Sequence, residues 1–149
     1  MSQIAVVQGG EDLYDLALDD SDGDHLLLDE SLRTPVLISL QTERRATEEQ
    51  APDRSDRGGW WGDTYPDVEG DEIGSRLWTL KGAKSTPETR QRAEEYVREA
   101  LAWMIEDGIA SEILVEIEAV SATILGYKVG IVRPRNPAPQ WIAAWQQSL

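Results

Sequence analysis

A chain of 149 residues is long enough for one domain that buries about two-thirds of the surface its unfolded form exposes. It has no cysteine, which excludes disulfides and thiolate metal sites, and its net charge of −14 works against binding to phosphate backbones or anionic membranes. The whole imbalance lies in residues 1–72, with 19 acids against 5 bases, whereas residues 73–149 hold 9 of each. The opening MSQIAVVQGGEDL lacks the basic region and apolar core of a signal peptide, and no later run approaches the roughly 20 apolar residues that span a bilayer. The expectation is a soluble protein made in a reducing cytoplasm.

Residues 11–30 place leucines and acids on either side of Asp20-Ser21-Asp22-Gly23-Asp24, which predicts an N-terminal strand pair joined by a turn. Thr34-Pro35 starts a helix over about 34–46, with Val36, Leu37 and Leu40 on one face and Glu43, Arg44 and Arg45 at its polar end. Residues 47–73 follow no period of 3.6 or 2 and read as a long acidic loop containing Trp60 and Trp61. Loops of this length in compact domains are commonly functional or disordered. GSRLWTLKG, 74–82, reads as a helical turn with Leu77, Trp78 and Leu80 toward a core.

The strongest helical pattern follows. Ser85 to Glu88 reads as a capping box and Thr86-Pro87 as a start, and Ala93, Tyr96, Val97, Ala100, Leu101 and Met104 recur at spacings that make one face. Gly108 supplies a left-handed stop, and Glu88–Arg92 and Glu94–Arg98 are spaced for surface pairs. SEILVEIEAV and TILGYKVGIV alternate as two antiparallel strands joined near Ser121-Ala122, with Ile113, Val115, Ile117 and Ala119 sharing a face. Pro134, Pro137 and Pro139 then stop the sheet, leaving residues 134–149 as a tail with a helical stripe of Trp141, Ile142, Trp145 and Leu149. The fold class is α+β in a single domain, 1–149: a small antiparallel or mixed sheet, one face covered by helices, with the long acidic loop.

Candidate chemistry is sparse. The sole histidine, His25, sits in a strand-like run without a nucleophile pattern, and one histidine without cysteine makes no zinc site. Asp20, Asp22 and Asp24 begin like a calcium loop, but the sixth and twelfth positions are His25 and Ser31 instead of Gly and Glu. Gly9-Gly10 and Gly58-Gly59 lack the spacing and lysine of a phosphate loop, and Arg44-Arg45 and Arg133–Arg135 are too short for a nucleic-acid track. Asp56, Asp63 and Asp67 beside Trp60 and Trp61 have the composition of a glycosidase site, two acids and an aromatic platform, but a loop is a poor mount for them. Arg57, Trp60, Trp61 and Tyr65 are residue types that dominate protein interfaces, and Gly58, Gly59 and Gly62 permit tight backbone around the rings. Composition alone leaves self-packing and docking both open.

TPVLISLQTERRA (34–46), DRGGWWGD (56–63), GSRLW (74–78) and STPETRQRAEEYVREALAWMIEDGIA (85–110) resemble, in the same order, the small baseplate protein of Mu-like contractile-tailed phages and prophages. The resemblance covers about Leu13 to Arg133, and it extends more distantly to the small wedge protein of T-even baseplates. It implies a structural, non-enzymatic virion component, assembled in the host bacterial cytoplasm. Its partners would be the larger wedge proteins and the central hub, with sheath or tube-initiating proteins as further neighbours. No cofactor, metal, nucleic acid, membrane or small-molecule substrate is expected. The candidate interface, drawn from the two tryptophan blocks, is Arg57, Trp60, Trp61, Asp63, Tyr65, Arg76 and Trp78. The alternatives are a lysozyme-like peptidoglycan hydrolase and an acidic protein-binding adaptor.

Overall fold

The computed structural model describes the backbone of residues 3–4, 6–8, 14–16, 28–29, 32–51, 55–66, 69–70 and 72–149, with side chains from Leu32 on except at 143–148. The chain divides into two compact units, residues 1–38 and 39–149. In the first, β1 (Gln3–Ile4) pairs antiparallel with β4 (Leu28–Asp29), and β2 (Val6–Gln8) with β3 (Tyr14–Leu16). The predicted pairing across the acidic cluster is therefore wrong: residues 14–16 pair back to 6–8, and 28–29 reach 3–4. The run Ile4-Ala5-Val6-Val7 supplies β-forming residues ahead of Gly9-Gly10, a sequence suited to a reversal, so strand partners arise upstream of the cluster. The cluster Asp20–Asp24 and His25 lie outside the described residues.

Helix α1 (Arg33–Gln41) carries Pro35 in its first turn, where the missing N–H is not needed, and buries Val36, Leu37 and Leu40 as expected. It ends at Gln41, five residues before the predicted end at Ala46. The Leu40 carbonyl accepts the Ser75 hydroxyl at 2.7 Å, and Thr42 and Arg44 bond instead to the Ser75 backbone, which satisfies the helix end and redirects the chain.

Helix α2 (Pro87–Ala100) is capped by Thr86, whose hydroxyl accepts the Thr89 N–H at 3.2 Å, with Pro87 as first helical residue. The capping box predicted on Ser85 is thus displaced by one residue, because Pro87 fixes the helix start behind Thr86. Leu101, at φ −106° and ψ 2°, separates α2 from a short α3 (Ala102–Glu106), so the predicted continuous helix is broken there. The apolar stripe survives the break: Ala93, Tyr96, Val97, Ala100, Leu101 and Met104 are all buried. Gly108, at φ +69°, ends the helix, and the Ile109 and Ala110 N–H groups return to the Met104 carbonyl at 2.9 Å. Glu94 pairs with Arg98 at 2.9 Å as predicted. Glu88 does not pair with Arg92; hydrogen bonds from its own backbone and from Thr86 hold its carboxyl below the ordinary glutamate pKa.

The sheet is an antiparallel meander of β5 (Glu112–Ser121), β6 (Ile124–Arg133) and β7 (Asn136–Ser148). The register sets Ile113 opposite Ile131, Val115 opposite Val129, Ile117 opposite Tyr127 and Ala119 opposite Leu125, which is the predicted shared face. That face is the core side: Ile113, Leu125, Tyr127, Val129, Ile131 and Ile142 are buried, and α2 packs on β5. Each such aliphatic side chain contributes about 1.5–3 kcal/mol of burial.

Strand β7 replaces the predicted helical tail. Ile142 lies opposite Val129 and Trp145 opposite Tyr127, so three steps of β7 match two of β6. This bulge breaks the two-residue period and gives the apolar residues a helix-like spacing. Pro134 sits in the turn, and Pro137 and Pro139 fall at the start of an edge strand, where a missing N–H costs no ladder bond.

Candidate docking site

Three stretches of chain converge at the base of the 47–73 loop. Ser75 forms a parallel bridge with Glu43: its N–H donates to the Thr42 carbonyl, and its carbonyl accepts the Arg44 N–H, both at 2.9 Å. The Ala46 N–H donates to the Arg57 carbonyl at 2.8 Å, so the DRGG segment is pinned to the irregular stretch leaving α1. Gly74, at φ +102°, makes the first junction possible: a Cβ there would stand 2.5 Å from the Thr42 carbonyl oxygen.

Two of the predicted interface residues hold this base together. The Trp78 indole N–H donates to the Arg44 carbonyl at 2.9 Å, and its ring lies so close to Gly58 (φ +66°) that a Cβ would meet it at 2.8 Å. Arg76 donates from Nε to the Arg45 carbonyl at 3.2 Å and forms an ion pair with Glu99 of α2. A single guanidinium therefore ties the loop base to the helix. Leu77 and Leu80, in the 3-10 turn Leu77–Leu80, are buried beneath, as the sequence suggested.

Beyond the base the loop is built from its own polar groups. Asp56 accepts the Gly58 N–H at 3.0 Å, and Asp63 accepts the Ile73 N–H at 3.2 Å, drawing the two limbs together. Arg44 and Glu72 pair at 3.0 Å across the same limbs. A 3-10 turn, Trp61–Thr64, closes with Trp60 accepting from Asp63 at 3.1 Å and Gly62 from Tyr65 at 3.0 Å.

The rings ride on this turn. Trp60 and Trp61 lie 5.4 Å apart at 47°, and Trp60 folds over Gly62, where even a Cβ would stand 2.1 Å from its ring. Yet 44% of Trp60, 78% of Trp61 and 84% of Tyr65 stay exposed. The seven predicted residues thus separate into a tip of Trp60, Trp61 and Tyr65 and a frame of Asp63, Arg76 and Trp78, with Arg57 joining them through its carbonyl. Sequence reasoning missed Ser75, the Arg44 and Arg45 carbonyls, and Gly74; backbone partners leave no residue-type signal, and only the glycine hinted at a close approach.

An exposed aromatic cluster on a hydrogen-bonded turn has the chemistry of an interface anchor, with apolar area to lose and a backbone already ordered before a partner arrives. Asp56 and Asp63, two of the three acids weighed for a glycosidase, are engaged on loop N–H groups; Asp67 lies outside the described residues. Among the described residues no group of three or more acids and histidines could hold a metal, and no helix is long and apolar enough to cross a membrane.

Residues 32–138, which contain the whole loop and its frame, match the family model described as phage protein GP46. The chain is 45% identical over 115 residues to the baseplate protein gp46 of Escherichia phage Mu, covering 76% of this chain and 77% of that protein. It is 37% identical over 115 residues to the Mu-like prophage FluMu protein gp46 of Haemophilus influenzae, covering 77% and 78%.

Proposed function

The chain belongs to the phage protein GP46 family, and from that premise we propose how it serves a tail. It is a structural component of a Mu-like tail baseplate, located in the virion, and it interacts with other baseplate components. In our reading its role is that of a non-enzymatic wedge protein, joined to larger wedge proteins and the hub, with sheath or tube-initiating proteins as further neighbours. The contact is made by Trp60, Trp61 and Tyr65, presented by the frame of Asp63, Arg76, Trp78 and the Arg57 backbone.

The observation that carries this reading is the pairing of exposure with order: three large aromatic rings stand out to solvent on a turn closed by its own backbone hydrogen bonds and tied through Asp63 to the returning limb at Ile73. Rings that only anchored the loop to its own domain would be buried. The test is complementation in a phage lacking this gene, read by negative-stain microscopy. The wild-type copy should restore complete tails, and Trp60→Ala with Trp61→Ala should leave a soluble protein and at least tenfold fewer tails. Full restoration by the double variant would refute the docking role; complete but non-infecting tails without the gene would point to hydrolysis or host contact.

A further inference from the structure

The sheet has a second face, opposite the core side, that the aromatic loop does not use. By the two-residue period of the strands it carries Leu114, Glu116, Glu118 and Val120 from β5, Lys128 from β6 and Trp141 from β7. Two glycines of β6 let these side chains lie flat. At Gly130 an added Cβ would stand 3.1 Å from the Trp141 ring and 3.3 Å from Leu114, and at Gly126 it would stand 2.9 Å from Val120 and 3.3 Å from Glu118. The result is a shallow apolar floor with Trp141 44% and Val120 46% exposed.

The charge on this face is unbalanced. Lys128 pairs with Glu116 at 2.7 Å and lies 4.9 Å from the Trp141 ring centroid, so its charge is answered locally. Glu118, and Glu112 two turns of the period before Glu116, have no basic partner among the described residues. An apolar floor with surplus carboxylates favours a partner bearing arginine or lysine among apolar groups, and it repels phosphate. A second copy of this chain, itself at −14, is a poor occupant.

We propose that this outer sheet face docks a cationic surface of a neighbouring baseplate protein, as a second contact separate from the tryptophan tip. The inference rests on the baseplate reading but not on the role of Trp60 and Trp61.

The test compares carboxyl labelling of the purified protein with that of intact wild-type tails, using carbodiimide and glycine ethyl ester with mass-spectrometric readout. Glu118 should label at least tenfold less in tails. In parallel, Glu112→Lys with Glu118→Lys should lower the protein's incorporation into tails at least tenfold, with unchanged thermal unfolding of the isolated variant. Equal labelling of Glu118 in both states overturns the proposal, as does wild-type incorporation of the charge-reversed variant or a carbodiimide cross-link joining two copies of this chain through Glu118. Absence of the protein from wild-type tails would strike the baseplate reading itself, and this inference with it.

Discussion

Trp78 is half-buried with its N–H donated to the Arg44 carbonyl, whereas Trp61 leaves 78% of its surface to solvent on the same excursion of chain. The first fills space between backbone segments, meeting Gly58 and bonding to Arg44; the second stands 5.4 Å from the Trp60 ring with most of its surface in solvent. Two tryptophans that look equivalent in composition thus do opposite work, one building the mount and the other being mounted. What separates them is what each ring meets: Trp78 packs against Gly58 and bonds to Arg44 beside the Ser75 bridge, whereas Trp61 stands on the outer turn next to Trp60.

The sharpest way to break this contrast is to damage the mount. Gly74→Ala should cost about 3 kcal/mol, since the residue must keep a positive φ while its Cβ confronts the Thr42 carbonyl; chemical denaturation would show the drop. Trp78→Ala should cost about 2–3 kcal/mol through lost packing and an unsatisfied Arg44 carbonyl, while Trp61→Ala should stay within about 0.5 kcal/mol of wild type. Equal losses for the two tryptophans would erase the distinction between mount and tip. The smallest effect belongs to Glu88, away from the loop. Its carboxyl is held below its ordinary pKa, so its contribution is present above the unfolded pKa and disappears as pH falls through the folded value. The difference in melting temperature between wild type and Glu88→Gln should therefore begin to shrink as pH falls below the ordinary glutamate range and close only once pH passes the lowered folded value.

Much of the second unit is legible in the sequence because its apolar residues keep strict periods. The Ala93-to-Met104 stripe and the Ile113/Ile131 face need only spacing to be read. Spacing misleads where another influence enters. The β7 bulge shifts Trp141, Ile142 and Trp145 onto a helix-like interval, and Ser75, distant in sequence, ends α1 at Gln41. The candidate site was legible as a set of residue types but not as a division of labour. That division follows from hydrogen bonds to the carbonyls of Arg44, Arg45 and Thr42, and carbonyls are common to every residue.

The bridge between Glu43 and Ser75 also bears on how this protein can diverge. It brings together the two ends of the excursion, and with Arg57 bonded to Ala46 and Gly58 packed on Trp78 the remainder of the domain senses this closure and these anchors but not the span beyond them. Doubling the length of a closed flexible segment costs only about 0.6 kcal/mol. Lineages can therefore insert or delete residues between the limbs, changing reach and ring placement to suit a different neighbour, while helix and sheet keep the same folding problem.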